Sequence, residues 1–280
     1  MESYKNKVEE MVKKGADNIK KKVIDFKCKP VFEKQDFYVV EGVPKYYGID
    51  EYGRIIGAIA LISPNTLPMI TEKVLTYPRP YGWNSNMDKS NGIFESCHII
   101  AYNLSSQTTD KENLFIGTND LNRSLMKEIE NDVKDYIDEN GVRVLYKVTM
   151  KYRGTDQIPT GILIEAQSLD DEHSVCKFCY NIEKYVKFDY RDGTIIYNHN
   201  YLKKVMDKVT NKRKAKKETT ESKQDYILNR ETKECHYDRN CEKLKGIEDK
   251  YIQGTRTTEQ VIKDNKFKFC DNCKNKSSKE

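Results

Sequence analysis

The chain has 280 residues, of which 33% are charged and 37% apolar, and its formal net charge is +5. This length accommodates one medium-sized domain and a smaller one. The composition argues against a membrane protein, because no apolar run approaches the roughly 20 residues of a spanning helix. The N-terminus leads into a charged segment rather than an apolar signal core, so we expect a cytoplasmic protein by default, with specialised export left open.

The positive charge is concentrated in one segment. Residues 203–223 contain nine Lys or Arg and three Asp or Glu, a balance of +6, which leaves the rest of the chain near −1. Residues 201–224 become rich in Lys, Glu and Thr and lose their apolar period, so we predict a basic, extended linker there. Nonspecific attraction to nucleic acid would lie mainly in this linker.

The predicted elements begin with an amphipathic helix over residues 3–27. Its apolar side chains recur at helical spacing, and Pro30 ends the pattern. We assign residues 1–30 to this element and expect it to pack on the domain that follows. Strand-like runs come next at residues 37–40, 46–49 and 55–61.

A long loop rich in proline and polar residues is predicted over residues 63–91. Long loops within compact domains are often functional, and this one delivers Trp83 towards the stretch that follows. We predict a strand from Phe94 to Leu104, a polar connection over residues 105–120, and a helix from Leu121 to about Ile137.

His98 lies in this strand, and Asn122 lies at the helix start 24 residues later. A histidine can accept a proton from an attacking water, and an amide carbonyl can hold a hard divalent ion, as a one-metal nuclease requires. The same residues are also ordinary as a core histidine and a helix cap. On an ideal helix Asn122 and Glu130 would lie about 80° apart.

Several stretches in register resemble the DNA/RNA non-specific endonuclease family of ββα-metal nucleases, from about Val39 to Ile196. They are Asp50–Arg54, Gly82–Trp83, Cys97–Tyr102, Glu112–Thr118, Asn122, Glu130–Val133, Val144–Thr149 and Asp189–Gly193. The resemblance implies an α+β fold, with a ββα-metal nuclease core on an antiparallel sheet. We place this domain at residues 31–200.

The resemblance also implies roles for individual residues. His98 would be the general base, Asn122 would bind Mg²⁺, and Glu130 would support the site. The expected activity is Mg²⁺-dependent endonucleolytic hydrolysis of DNA, and of RNA by extension. Recognition would be through the phosphate backbone without reading of bases.

The motif around His98 departs from the family pattern. The family has Asp-Arg-Gly-His or Asn-Arg-Cys-His, whereas this chain has Glu95-Ser96-Cys97-His98. Ser96 replaces an arginine, whose planar cation suits phosphate, and Arg123 is a candidate to supply the missing charge. Two alternatives stay open. One is a catalytically inactive nucleic-acid-binding protein on a nuclease scaffold, and the other is a nuclease toxin with an inhibitor protein as its partner.

Strands are predicted at residues 142–148, 161–166 and 175–182, followed by a hairpin whose turn is Arg191-Asp192-Gly193. Cys176 and Cys179 have metal-like spacing but fall within a strand, where an odd offset puts side chains on opposite faces. We therefore interpret them as packed thiols.

The last part of the chain contains the stretches Tyr226–Asn229, His236–Cys241, Leu244–Gly246 and Cys270–Cys273. With these stretches, the segment from Asp225 to Asn275 resembles small zinc-binding domains that are appended to nucleases and other DNA-handling proteins. We place this module at residues 225–280. His236, Cys241, Cys270 and Cys273 make the four-ligand nitrogen and sulfur set of a closed zinc site. Cys235 is a competing ligand. Four cysteines and a histidine clustered in this way favour structural Zn²⁺ in a reducing compartment over a disulfide framework.

Overall fold

The computed structural model describes residues 3–17, 19, 21–69, 78–105, 110–196 and 224–273. The chain divides into a larger unit, residues 1–67 and 75–211, and a smaller unit, residues 68–74 and 212–280. The predicted linker falls outside the described residues as far as position 223, and the domain boundaries given above stay predictions. None of the described helices is long and apolar enough to cross a membrane.

An antiparallel sheet forms the centre of the larger unit. The strands of this unit are β1 (Val23–Asp25), β2 (Lys45–Tyr46), β3 (Gly57–Ile62), β4 (Phe94–His98), β5 (Leu114–Thr118), β6 (Val144–Lys151), β7 (Gly161–Ser168), β8 (Ser174–Tyr180), β9 (Lys187–Phe188) and β10 (Ile195–Ile196). Six of them form one sheet in the order β1-β8-β7-β6-β3-β2. β4 pairs with β5, and β9 pairs with β10 around the predicted Asp192-Gly193 turn.

The helices of this unit are α1 (Tyr4–Lys14), α2 (Ser85–Asp88), α3 (Tyr102–Ser105) and α4 (Lys127–Asn140). A π-helix, Leu121–Met126, leads directly into α4. Short 3₁₀-helices lie at Lys34–Phe37 and Lys111–Asn113. The order β4-β5-helix is the ββα arrangement that the resemblance implied.

The central sheet is covered on both faces because its strands alternate between two apolar clusters. α4 packs on one face through Ile129, Val133 and Ile137, against side chains that include Tyr146 and Ile164. α1 packs on the other face through Tyr4, Val8 and Val12, against Leu163 and Phe178. Successive strand residues point to opposite faces, which explains why Leu163 and Ile164 belong to different clusters.

The predicted helix over residues 3–27 is wrong in its second half. Gly15 ends α1 with φ of 75°, a left-handed conformation that glycine adopts without a steric penalty. Residues 23–25 instead form β1, which pairs with β8. Pairing with the sheet edge therefore outweighs the local helical pattern.

Other predicted boundaries also need correction. Residues 34–37 form a 3₁₀-helix, in place of a strand at 37–40. The predicted polar connection over residues 105–120 contains β5, which is buried along its whole length and so shows no polar alternation. β4 ends at His98 rather than at Leu104.

The smaller unit has its own sheet. Its strands and α-helix are β11 (Gln224–Asn229), β12 (Glu234–His236), β13 (Ile252–Thr257), α5 (Glu259–Asp264) and β14 (Lys268–Phe269). Two 3₁₀-helices lie at Glu242–Leu244 and Asp249–Tyr251. The strand order is β13-β11-β12-β14. Tyr226, Leu228, Ile262 and Phe267 form a small core.

Candidate active site and candidate metal centre

The histidine-bearing strand is held in place by two buried asparagines. Asn113 accepts from the Ile100 N–H at 2.9 Å and donates to the Ile100 carbonyl at 3.0 Å, so its amide continues the pairing just past His98. Asn181 accepts from the Thr118 N–H at 2.8 Å and donates to the Ile116 carbonyl at 3.0 Å. These bonds fix both strands of the β4-β5 pair beneath the site.

The helix that follows begins with a π-helical turn. The Thr118 hydroxyl accepts from the Leu121 N–H at 3.2 Å, and Asn122 lies within the π-helix Leu121–Met126. π-Helical turns are rare and are frequent at functional sites. Their i→i+5 hydrogen bonds widen the turn, so the angle of 80° between Asn122 and Glu130 predicted for an ideal α-helix does not apply here.

The Glu95 carboxylate accepts hydrogen bonds from three side chains at the beginning of this helix. It accepts from Asn119 Nδ2 at 2.9 Å, from Asn122 Nδ2 at 2.8 Å and from Arg123 Nε at 2.9 Å. Burial acts to raise the pKa of Glu95, but the hydrogen bonds from Arg123 and Asn122 lower it below its usual value. Glu95 is therefore an anion that orients these three groups.

The contact with Glu95 determines which end of Asn122 is available. A carboxylate only accepts hydrogen bonds, so the Nδ2 end of the amide must point to Glu95. The Oδ1 end is then the atom that can bind a hard cation. Neither Glu95 nor Asn119 was identified as a functional residue from the sequence, and only their position beside the motif and Asn122 could have indicated it.

Arg123 makes a two-pronged contact with Glu95 through Nε and Nη2. Its side chain is 48% exposed, whereas that of Glu95 is 16% exposed. The positive charge that could replace the missing motif arginine is therefore shared with a carboxylate. The role of Arg123 in binding phosphate stays a prediction.

Glu130 is buried in the first turn of α4, with 7% of its surface exposed. Burial raises its pKa from 4.5 to about 8, and the nearby Lys127 only partly opposes this shift. A carboxylate in such surroundings is neutral until a cation approaches it.

His98 ends β4, three residues beyond Glu95, and its backbone pairs with Leu114. The two side chains are roughly 10 Å apart along the strand, and their odd offset puts them on opposite faces of the ribbon. Ser96 shares the face of His98. Its Oγ is buried and has no hydrogen-bond partner within the described part of the chain.

The predicted long loop brings Trp83 against the cluster that contains Phe94 and Ile116. Trp83 Nε1 donates to Asp88 at 2.9 Å, and the Arg79 guanidinium lies 4.4 Å from the Trp83 ring centroid. Residues 70–77 of this loop lie outside the described residues.

The Asp50–Arg54 stretch forms a tight turn rather than part of the site. Arg54 is paired with Asp50 at 2.6 Å and donates to the carbonyls of Gly154 and Asp156. Its guanidinium also lies 4.3 Å from the Tyr152 ring centroid. Arg54 therefore joins this turn to the loop after β6.

In the smaller unit, His236, Cys241, Cys270 and Cys273 are all buried, and their ligand atoms lie within 4.8 Å of one another. Cys241 Sγ is 3.8 Å from Cys270 Sγ, and Cys273 Sγ is 3.7 Å from His236 Nδ1. Ligands about 2.3 Å from a zinc ion lie about 3.8 Å apart along the edges of a tetrahedron. The donor set and its spacing therefore fit zinc.

Cys235 lies outside this group. It neighbours His236 on β12, so its side chain points to the other face and packs with Tyr226 and Leu228. The structure thus separates the competing thiol from the four predicted ligands.

Comparisons with known proteins agree with this architecture. The model of the DNA/RNA non-specific endonuclease family matches residues 34–170. No curated protein matches the chain. Metal-free NucA from Streptococcus agalactiae is 19% identical with a TM-score of 0.55, over 70% of this chain and 96% of that one. This likeness shows a shared fold.

Two metal-bound nuclease structures are similar to a shorter part of the chain. NucA from Streptococcus agalactiae with magnesium bound is 22% identical, with a TM-score of 0.48, over 57% of this chain and 82% of that one. Sda1 nuclease with bound zinc is 26% identical, with a TM-score of 0.47, over 56% of this chain and 81% of that one.

Proposed function

Because residues 34–170 form a DNA/RNA non-specific endonuclease domain, we propose that this nuclease is a Mg²⁺-dependent endonuclease that cuts DNA, and RNA by the same chemistry. The observation that carries the proposal is the orientation of Asn122. Its Nδ2 is bound to Glu95 at 2.8 Å, which directs Oδ1 away from that carboxylate as a ligand for a cation.

The residues around Asn122 suit Mg²⁺. This ion prefers oxygen ligands and keeps several of its waters, so one amide oxygen is a sufficient anchor. Glu130 is buried without a strong cationic partner, and a nearby divalent ion would stabilise its ionised form. The ion would supply stabilisation of the negative charge that develops on phosphate oxygens.

Side chains of the protein perform the remaining steps, which are proton transfer and orientation of the metal ligand and of water. His98, in its neutral form, takes a proton from the water that attacks phosphorus. Glu95 fixes the orientation of Asn122 and holds Arg123 at the edge of the site. Glu130 orients water by accepting hydrogen bonds once it is ionised. Since these contacts address only phosphate and water, the site does not read base sequence.

The second candidate is a catalytically inactive nucleic-acid-binding protein. Two observations favour it: Ser96 stands where the family has arginine, and Arg123 is paired with Glu95. Ser96→Arg distinguishes the two proposals. The substitution should preserve or increase cleavage if Ser96 merely weakens phosphate binding, and should leave an inactive site inactive.

The deciding experiment is cleavage of supercoiled plasmid by the purified full-length protein. With Mg²⁺ we expect nicked, linear and then fragmented DNA, and EDTA should stop the reaction. A structured RNA in the same assay tests the wider substrate range. DNA that stays intact with Mg²⁺, while the protein still retards it on a gel, would establish the inactive binding protein instead.

For the smaller unit we propose a structural Zn²⁺ held by His236, Cys241, Cys270 and Cys273. Four protein ligands close the tetrahedral shell and leave no open position for chemistry. A sheet this small has little apolar core, so metal binding would contribute directly to its folding.

A further inference from the structure

Two cysteines outside the zinc ligands lie together on the α1 side of the central sheet. Cys28 follows β1, Cys176 lies on β8, and both side chains line the same cavity. Both positions fall outside residues 34–170, the part matched by the family model. From this pair we propose that Cys28 and Cys176 form a reversible disulfide that fastens the N-terminal α1-β1 layer to the sheet.

The backbone brings the segment that contains Cys28 alongside Cys176. β1 pairs with β8 from Val23 to Asp25, and the pairing runs on to Phe26, whose N–H donates to the Cys176 carbonyl at 3.0 Å. Lys27 then turns the chain with φ of 53°, and its N–H donates to Asp25 Oδ1 at 2.9 Å. Cys28 therefore lies two residues beyond Phe26, the residue that pairs with Cys176, on a chain that Lys27 has turned.

Contacts with α1 hold the segment after Cys28 in place without the disulfide. The Val31 N–H donates to Tyr4 Oη at 2.9 Å, and Lys5 Nζ donates to the Val31 carbonyl at 2.9 Å. Cys28 and Cys176 also belong to the apolar cluster that α1 forms with the sheet. The two cysteines therefore belong to one apolar layer before oxidation.

A cavity of about 440 Å³ gives a reagent access to the pair. Both cysteines line it, together with Lys27, Lys29 and Lys177. Cys28 is partly exposed, whereas Cys176 is buried. Asp25 and Asp132 also line the cavity, and Lys27 and Lys29 are paired with Asp25 and Asp171. The charge of the cavity therefore selects no particular reagent, and the co-reactant we assign is a low-molecular-weight disulfide.

The reaction is two successive thiol–disulfide exchanges. The Cys28 thiolate attacks one sulfur of the reagent, which releases one small thiolate and leaves a mixed disulfide on Cys28. The Cys176 thiolate then attacks the Cys28 sulfur and releases the second small thiolate. The two protons lost by the cysteines end on the two released thiols, so the protein is oxidised by two electrons and the reagent is reduced by two. Burial raises the pKa of the Cys176 thiol, which makes the second exchange the slower one.

The test uses the full-length, zinc-loaded protein in a buffer of oxidised and reduced glutathione. After free thiols are blocked with N-ethylmaleimide, peptide mapping should show a Cys28–Cys176 cross-link and a mass loss of two hydrogens. Since this bond closes a loop of 148 residues, oxidation should raise the Tm of the larger unit by roughly 10 °C. Cys28→Ser should show neither effect.

Two variants separate the steps. Cys176→Ala should stop at the first exchange and accumulate glutathione on Cys28. Cys179→Ala, a buried cysteine of the same strand that faces the other cluster, should still form the cross-link. The proposal is overturned if the wild type gains only glutathione adducts, if its cross-links join zinc ligands instead, or if no cross-link forms.

Discussion

Glu95 stands where the family motif has aspartate or asparagine, and it is one methylene longer than aspartate. Its carboxylate accepts from Asn119, Asn122 and Arg123, which come from the next element of the chain. The sequence predicted His98, Asn122 and Glu130 through the resemblance, but it did not predict this network. A hydrogen bond between residues 24 to 28 positions apart depends on how the hairpin meets the helix, and local patterns do not encode that.

Replacement of His98 by alanine should remove the proton acceptor and leave the fold intact, because the side chain lies at the end of β4. We expect cleavage to fall by about 10²–10⁴-fold. His173→Ala is the matched control, since that histidine stacks on Tyr136 at 4.5 Å and has no assigned role in cleavage. Rates are measured on plasmid with Mg²⁺, and a wild-type rate for His98→Ala would contradict the mechanism.

Glu95→Gln should raise the Mg²⁺ concentration needed for half-maximal cleavage. A glutamine offers one acceptor oxygen to three donors, so Asn122 is no longer held in one orientation. Asn122→Ala should raise this Mg²⁺ concentration as well, because the proposed ligand is lost. Mg²⁺ titrations of both variants are compared with Glu128→Gln, an exposed carboxylate of the same helix. Titrations that coincide with wild type would show that Asn122 has been misassigned.

Glu130 should make stability depend on pH. Its pKa is raised from 4.5 to about 8 in the folded protein, so the folded state binds more protons than the unfolded state between these values. The free energy of unfolding must therefore fall as pH rises through this window, by at most about 5 kcal/mol. Tm measured from pH 5 to 8 without Mg²⁺ should fall more steeply for wild type than for Glu130→Gln. Parallel curves would mean that Glu130 ionises normally.

At the scale of elements, the helix after β5 was predictable because Met126, Ile129, Val133 and Ile137 recur at helical spacing, and all four are buried. Its π-helical start was not predictable, because no particular residue type marks the extra residue of a π-turn in a sequence. β5 was missed for a related reason. A strand buried on both faces has no alternation that separates it from other short apolar runs.

Deletion of Ser124 tests the π-helix directly. This residue is exposed and lies within the π-turn, so its removal should restore regular α-helical bonding and rotate Asn122 relative to α4. We expect a folded protein, with unchanged far-ultraviolet circular dichroism, that no longer cleaves DNA. Ser124→Ala, which keeps the length, should cleave normally. Full activity in the deletion variant would show that the π-turn does not position Asn122.

At the scale of the whole molecule, the resemblance and the cysteine spacing together predicted an endonuclease domain and a zinc module. Charge is distributed unevenly between the parts. The zinc module, residues 225–280, contains 13 basic and 11 acidic side chains, a balance of +2 against +6 for residues 203–223. The inactive-binding alternative therefore depends more on the basic segment 203–223 than on the zinc module.

Replacing Cys270 and Cys273 together with serine should abolish zinc binding. Elemental analysis should find one Zn²⁺ per wild-type chain and none in the variant. Because metal binding contributes to folding of the smaller unit, thermal scans of the variant should lose one transition and keep that of the larger unit. Plasmid cleavage should continue, with weaker binding to long DNA. Absence of zinc from the reduced wild-type protein would refute the site.

Arg54 stabilises the Asp50–Arg54 turn through contacts on several sides. Its guanidinium is satisfied by Asp50, by two backbone carbonyls and by the rings of Tyr52 and Tyr152. Lysine cannot make these planar contacts, so the Asp-x-x-Gly-Arg turn has a role in folding. A relative that has lost catalytic activity would keep this turn, while the histidine of its motif would be replaced by other residues. The turn is thus retained for folding and the site for catalysis. Only the site residues therefore indicate whether a relative is an active enzyme.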